Sequence, residues 1–190
     1  MSAAAATHLT PGEYLDQERR AEHKSEYVDG YVYAMTGATR THNVIAGNLI
    51  AELNRQLEHK SCEVYPGDMR VRVGRRAYLY PDAVVACDEP EFDDAELDTL
   101  LNPIIIIEVL SKSTRDYDQG AKFALYRSLL SLGEYVLVAQ DTPHVMRYVR
   151  QTDGWLLSET VDLDDEVPLS SIGCSLSLRR VYSKVKFEKS

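Results

Sequence analysis

Three ionisable side chains occupy positions where the surrounding pattern favours apolar residues. Asp82 follows a proline inside an apolar stretch. Glu108 ends a run of four isoleucines, and Lys122 lies in the segment after that run. Two carboxylates brought together at the rim of a sheet repel each other, and they either raise a pKa or bind a cation. Because no histidine or cysteine ligand spacing accompanies them, these oxygen donors favour magnesium or manganese.

The elements around Glu108 are predicted to place it at such a rim. The run from Ile104 to Ile107 is β-branched and unbroken, which is typical of a central strand covered on both faces. Ser113 or Thr114 is suited to cap a following helix, predicted over residues 115–130. Open α/β sheets place their chemistry at this kind of strand end, beside a helix N-terminus.

Lys122 is predicted to reach back to that rim from the helix. It lies about two turns in, roughly 10–12 Å from the helix start at ~1.5 Å per residue. Because helical side chains lean toward the N-terminus, its ammonium can approach Glu108. Tyr126 lies four residues later on the same face, where it can orient the ammonium or a substrate oxygen. Asp118, four residues earlier, can pair with Lys122.

The rest of the chain predicts a mixed sheet flanked by helices. Thr10 and Glu13 form a capping box for a first helix ending near Glu22, and Asp29-Gly30 favours a hairpin within residues 25–36. The other predicted elements are a helix over 41–59, strands over 62–65, 69–73 and 78–86 (broken at the proline before Asp82), a helical turn over 95–101, and strands over 134–139, 144–149 and 155–160. We expect a single domain over residues 1–190, with flexible tails at 1–9 and 184–190.

The composition favours one globular domain outside the membrane. Of the 190 residues, 44% are hydrophobic and 27% charged, and no apolar run approaches the ~20 residues that a membrane span needs. The N-terminus has no secretory signal pattern. Three widely spaced cysteines, an odd number, disfavour a disulfide framework and predict free thiols in a reducing cytoplasm.

The net charge of −9 argues against broad, nonspecific binding of nucleic acid, because it repels polyanions at long range. It still allows a local basic cleft. It also allows a carboxylate cluster whose charge a divalent metal offsets.

Several segments, taken in order, form a recognisable series. They are Ser25–Gly30, Tyr80-Pro81-Asp82, Ile107–Ser111, Ser113–Asp116, Lys122, Tyr126 and Glu134–Val138. With this series the chain, over residues 10–167, resembles the PD-(D/E)xK nuclease superfamily and, within it, the Uma family of endonucleases. The resemblance implies an α/β fold with a restriction-endonuclease-like mixed β-sheet flanked by helices.

The resemblance also implies the ligands of a metal site. Asp82 and Glu108 would bind one or two Mg²⁺ or Mn²⁺ ions, together with the carbonyl of Val109. Glu26 would be the extra N-terminal acid that many members of the superfamily add.

The lysine of the superfamily is displaced in this chain. It normally lies two residues after the glutamate, where this sequence has Leu110. The resemblance points to Lys122 as a lysine relocated to the helix. Lys112, in the turn, is a competing candidate.

Other residues are predicted to contact the substrate. His42 matches a family position at the start of the second helix, and Tyr126 faces the same rim as Lys122. The candidates for contacts with the phosphate backbone are Arg40, His42, Arg70, Arg72, Arg75, Arg76 and Arg115. Because Arg70 and Arg72 are two residues apart, they share one face of a strand.

These features predict a metal-dependent endonuclease that hydrolyses phosphodiester bonds of nucleic acid, with DNA the expected substrate. A homodimer is expected, because cutting both strands needs two sites and a two-fold pair is the commonest assembly. Two alternatives stay open. One is a binding or scaffold protein on a nuclease-like fold, which the missing lysine after Glu108 and the acidic surface favour. The other is a metal hydrolase of small phosphoesters.

Overall fold

The computed structural model of the protein describes residues 8–187. Its helices are α1 (Pro11–Glu18), α2 (Arg40–Leu57), α3 (Arg115–Tyr117), α4 (Phe123–Tyr126) and α5 (Leu178–Val181), and a π-helical segment (Asp118–Lys122) joins α3 to α4. Its strands are β1 (Ser25–Val28), β2 (Tyr31–Ala34), β3 (Cys62–Pro66), β4 (Arg70–Val73), β5 (Ala77–Leu79), β6 (Ala83–Cys87), β7 (Thr99–Leu100), β8 (Ile105–Leu110), β9 (Glu134–Ala139), β10 (Val145–Gln151), β11 (Gly154–Thr160), β12 (Glu166–Leu169) and β13 (Cys174–Ser177). The larger sheet has the order β11-β10-β9-β8-β6-β3 and the smaller β2-β1-β5-β4-β7, while β12 pairs with β13. The predicted mixed sheet with few flanking helices is confirmed.

Strand β8 runs through the middle of the larger sheet. It pairs antiparallel with β6 and parallel with β9, and all six of its residues are buried. Ile105 and Val109 pack in the layer that contains α2, whereas Ile106 and Leu110 pack in the layer that contains β4, β5 and α4. The prediction of a central strand covered on both faces is confirmed. Because side chains alternate along a strand, Glu108 faces the second of these layers.

Helix α2 covers the first of these layers through one apolar stripe. Ile45, Leu49 and Leu53 are fully buried, and burying each such side chain contributes roughly 1.5–3 kcal/mol. The helix begins at a capped end, where the Thr39 hydroxyl accepts a hydrogen bond from the backbone N–H of His42 (3.2 Å). His42 lies one turn before Ile45, so the packing of the stripe also fixes where this histidine lies.

The N-terminal helix and hairpin form as predicted. The Glu13 backbone N–H donates to the Thr10 hydroxyl (3.3 Å), and the Thr10 backbone N–H donates to the Glu13 carboxylate (2.8 Å), which completes the capping box. Helix α1 ends before its predicted end. Asp29 (φ 49°) and Gly30 (φ 93°) both adopt the left-handed conformation that tight hairpin turns require. The hairpin carries Glu26 on β1, inside the smaller sheet.

The chain changes sheets at Pro81 and Asp82. β5 ends before them in the smaller sheet, and β6 begins after them in the larger one. The predicted break in the strand over 78–86 is therefore confirmed. A predicted helical turn over 95–101 is wrong, because Thr99 and Leu100 form a short strand that pairs in parallel with β4.

The helical stretch after β8 is shorter than predicted. It ends at Tyr126 instead of residue 130 and includes the π-helical segment. The carbonyl groups beyond it are satisfied from another element: the Arg150 guanidinium, on β10, donates to the carbonyl oxygens of Arg127, Leu129 and Leu132. A side chain thus takes the place of the next helical turn.

The prediction of three free thiols is wrong. Strands β3 and β6 pair so that Cys62 lies directly opposite Cys87, and the two form a disulfide. Cys174 is free. The 25-residue separation in sequence gave no sign of the pairing, because the antiparallel register of the two strands creates it.

Both predicted tails contain residues that pack against the folded protein. Leu9 is buried, and its carbonyl oxygen accepts a hydrogen bond from the Tyr27 hydroxyl (2.9 Å). Val185 and Phe187 pack against the core layer of α2. The tail prediction is therefore wrong for these three residues, whereas residues 8, 184 and 186 are exposed, and residues 1–7 and 188–190 lie outside the described residues. Among residues 8–187, no helix has both the length and the apolar character to cross a membrane.

Candidate nuclease site

The register of β6 and β8 brings Asp82 beside Glu108. Ala83 pairs with Ile107, so the next positions outward, Asp82 and Glu108, are neighbours at the same rim. Asp82 Oδ2 accepts a hydrogen bond from the backbone N–H of Val109 (2.7 Å). This bond attaches the start of β6 to β8 and fixes the distance between the two acids.

Lys122 connects this rim to the smaller sheet. Its Nζ lies 2.8 Å from Glu108 Oε1 and 2.9 Å from Glu26 Oε1, and it donates to the carbonyl oxygen of Tyr80 (3.3 Å). Lys122 is only 4% exposed. The predicted reach of the lysine back to Glu108 is therefore observed. Lys112, the competing candidate, is exposed on the loop after β8.

The π-helical segment directs several residues of one short stretch toward this rim. Asp118 and Lys122 are its first and last residues, both are buried, and their charged atoms lie 3.9 Å apart. The ring centre of Tyr126 lies 6.0 Å from the Lys122 ammonium. The Tyr135 hydroxyl, on β9, donates to the carbonyl oxygen of Asp118 (2.9 Å). Such π-turns within helices occur frequently at functional sites.

His42 approaches Asp82 from α2. Its Nε2 lies 3.1 Å from Asp82 Oδ2. Burial lowers the pKa of His42, but the hydrogen bond and charge of Asp82, the charge of Asp118 and the Val109 carbonyl together raise that pKa above its ordinary value. The histidine that the sequence predicts as a substrate contact therefore has a partner within the protein.

The site contains more negative than positive charge. Burial raises the pKa of Glu108 well above its ordinary range, against the opposing charge of Lys122, and Asp118 and Asp82 raise it further. Burial also raises the pKa of Asp118 to about 6, again opposed by Lys122. For Lys122, burial lowers the pKa, but the carboxylates of Glu108, Glu26 and Asp118 outweigh it and raise the pKa above its ordinary value. A site with this imbalance attracts a further cation.

The donors suit a hard divalent cation, although their present arrangement surrounds an ammonium. Among residues 8–187, no three His, Cys, Asp or Glu side chains converge as metal ligands do. Lys122 lies between Glu26 and Glu108. Glu108 Oε1 is buried with the Lys122 ammonium 2.8 Å away, and the Tyr126 hydroxyl is buried without a hydrogen-bond partner in the described residues. Carboxylate oxygens of this kind are the ligands that magnesium and manganese prefer.

Some residues of the site were not predicted. The Tyr80 backbone N–H and the Tyr117 hydroxyl donate to the two carboxylate oxygens of Glu26, at 3.2 and 3.4 Å. Asp118 was predicted only as a partner of Lys122, yet it is the third buried acid of the cluster, beside Glu26 and Glu108. The four-residue spacing from Lys122 was the available signal for Asp118, whereas nothing in the sequence indicated the contacts of the two tyrosines.

The predicted arginine contacts differ in accessibility. Arg70 is 3% exposed, and its Nη2 lies 2.5 Å from Asp98. It is not available to a substrate, so its prediction as a phosphate contact is wrong. Arg72 contacts Asp93 and the carbonyl oxygen of Gly74. The spacing of Arg70 and Arg72 predicts a shared strand face but not which neighbours that face meets. Arg115, at the start of α3, keeps 38% of its side chain exposed.

Comparison with known proteins places this chain in a family. A family model described as Uma2, putative restriction endonuclease, matches residues 11–179. The chain belongs to this family. Two proteins of Synechocystis sp., each described as uncharacterized, are 35% and 34% identical to it, over 90% and 94% of this chain and 97% and 94% of their own.

A solved structure has the same fold. It is a protein of Anabaena variabilis described as a putative nuclease belonging to DUF820, with a TM-score of 0.74 and 19% sequence identity. The match covers 94% of this chain and 99% of that one. The restriction-endonuclease-like fold predicted from the sequence is consistent with this neighbour, and both the family and the neighbour are described as putative nucleases.

Proposed function

We propose that this Uma2-family protein is a metal-dependent endonuclease that hydrolyses phosphodiester bonds of DNA. The observation that carries the proposal is the convergence of Asp82, Glu108, Glu26 and Lys122, from four separate elements, at one rim. We propose that residues 1–190 form a single domain. Within residues 8–187, no other group of carboxylates surrounds a buried lysine.

Charge supports the need for a metal. Four carboxylic acids, Asp82, Glu108, Glu26 and Asp118, lie near one ammonium and one imidazole, and a divalent cation would offset the charge of those that ionise. Asp82, Glu108, the Val109 carbonyl and Glu26 would hold one or two Mg²⁺ or Mn²⁺ ions. Such an ion lowers the pKa of a bound water and neutralises charge on the phosphate.

The protein's own groups then orient the reactants. The hydrogen bond from Val109 keeps Asp82 next to Glu108. Lys122 holds Glu26 against Glu108, and its ammonium stabilises negative charge that develops at the rim. In the reaction, the oxygen of water forms a bond to phosphorus while the bond to the leaving oxygen breaks, and the proton of water ends on that leaving oxygen.

The surface beside the site offers exposed bases for the phosphate backbone. Arg40 begins α2, Lys112 lies on the loop after β8, and Arg115 begins α3. We propose these three as phosphate contacts, which position DNA without reading its sequence. Tyr126 is proposed to orient the ammonium of Lys122 from within the helix.

We further propose a homodimer that acts in the cytoplasm. Two sites related by a two-fold axis would cut both strands of a duplex.

Plasmid cleavage tests the proposal. At low salt with Mg²⁺ or Mn²⁺, the protein is expected to convert supercoiled DNA to nicked and linear forms. Asp82→Asn should lower the rate by about 100-fold or more, as the loss of a group that stabilises a transition state does. Asp153→Asn, which makes the same chemical change at an exposed turn between β10 and β11, serves as the control for handling and fold. Absence of cutting of both DNA and RNA by folded parent protein, or equal cutting by Asp82→Asn, would contradict the proposal.

One observation favours a second candidate, a DNA-binding protein with little catalysis. Residue 110, where the superfamily has its lysine, is an apolar leucine, and the relocated Lys122 is buried. For that alternative, calorimetry should find weak or no Mn²⁺ binding alongside DNA binding that needs no metal. Saturable Mn²⁺ binding that Asp82→Asn removes would favour the nuclease.

A further inference from the structure

Asp82 has one occupied and one free carboxylate oxygen. Oδ2 lies 3.1 Å from His42 Nε2 and accepts the Val109 backbone N–H at 2.7 Å. In the part of the chain that the structure describes, no hydrogen bond reaches Oδ1, and the side chain of Asp82 is 23% exposed. Val109 and His42 thus approach the same oxygen of Asp82 from two different elements.

His42 itself is held from two sides. The Thr39 hydroxyl accepts the His42 backbone N–H and donates to the side-chain oxygen of Gln140 (2.8 Å), which follows β9. Ile45, one turn later on α2, is fully buried. The side chain of His42 is only 14% exposed. The imidazole is therefore a rigid donor whose position depends on the packing of α2 against the larger sheet.

We propose that His42 is a positioning residue that aligns Asp82 for the metal, and that it acts through the carboxylate instead of touching the substrate. This inference rests on the proposed metal-dependent function. Val109 supplies one donor from β8 and His42 supplies the second from α2. Oriented ligands bind metal more tightly, and loss of such an orienting partner typically costs about 10- to 100-fold in metal affinity.

Two variants separate the hydrogen bond from the packing. His42→Gln keeps an N–H donor near the position of Nε2, whereas His42→Leu fills similar space without a donor. In Mn²⁺ calorimetry, we expect His42→Leu to weaken binding by about 10- to 100-fold and His42→Gln to stay within a few-fold of the parent. Thermal unfolding of each variant, followed by circular dichroism, identifies any loss of affinity that comes from unfolding.

The inference and the nuclease proposal fail in different ways. Equal Mn²⁺ affinity of His42→Leu and the parent would overturn the positioning role while leaving the metal site intact. If His42 instead contacts substrate, both variants should weaken metal-free DNA binding and leave Mn²⁺ affinity unchanged. Crystal structures without metal test the positioning role even for a parent that binds no Mn²⁺. The Asp82 carboxylate should keep its bond to Val109 in His42→Gln and lose its single orientation in His42→Leu. One orientation in both variants would refute the role.

Discussion

Replacing Lys122 with methionine tests the central electrostatic feature of the site in the metal-free protein. The side chains of Lys122, Glu26 and Glu108 are 5%, 6% and 4% exposed, and the ammonium lies within 3 Å of both acids. Removing one partner of a buried ion pair leaves an uncompensated buried charge and costs about 3–5 kcal/mol. We therefore expect Lys122→Met to lower the free energy of unfolding by about that amount.

Urea denaturation in the presence of a chelator measures this loss. Lys112→Met is the matched control, because it makes the same chemical change at an exposed position, where substitutions usually change stability by less than about 0.5 kcal/mol. Glu26→Gln in the Lys122→Met background should restore part of the loss, and the two changes should be non-additive by about 0.5–3 kcal/mol. A Lys122→Met protein as stable as Lys112→Met would refute the buried network.

Three further predictions concern the rest of the fold. Arg70→Leu should destabilise the protein by about 1–3 kcal/mol in urea denaturation, because it removes the buried hydrogen bonds from Arg70 to Thr99 and Tyr80 while Arg19 still pairs with Asp98, yet keep the plasmid-cleavage activity per folded molecule. Hydrogen bonds from Arg19 and Arg70 lower the pKa of Asp98 below its value in the unfolded chain. The stability that these bonds contribute is therefore present above the ordinary pKa range of a carboxyl group and is lost as the pH falls below that range. Between pH 7 and pH 3, the urea midpoint should fall more steeply for the parent than for Asp98→Asn. Reduction of the Cys62–Cys87 disulfide, which spans 25 residues, should lower the free energy of unfolding by about 3–4 kcal/mol. Thiol titration of the denatured, unreduced protein should find one thiol per chain, and a count of three would contradict the pairing.

Local signals in the sequence predicted the elements that build the rim. The isoleucine run became the buried centre of the larger sheet, and the proline before Asp82 ends one strand where the chain passes to another sheet. The reach of Lys122 was predicted from regular helix geometry, and the ammonium does approach Glu108, although the lysine lies in the π-helical segment. These predictions needed only neighbouring residues.

Features that depend on packing between distant segments were not predictable in the same way. The disulfide follows from the register of β3 with β6, and the burial of Arg70 follows from its contact with Asp98 on a later segment. The π-helical segment depends on how the helix meets β9 through Tyr135, so the convergence of Asp118 on the site had no local signal beyond its spacing from Lys122.

A crystal structure of the protein soaked in Mn²⁺ tests the account most directly, because the anomalous signal of manganese distinguishes the ion from water and from lighter ions. The account predicts a peak bound by Asp82 and Glu108 that is absent from crystals of Asp82→Asn. Manganese bound elsewhere, or equal peaks in the parent and in Asp82→Asn, would contradict it.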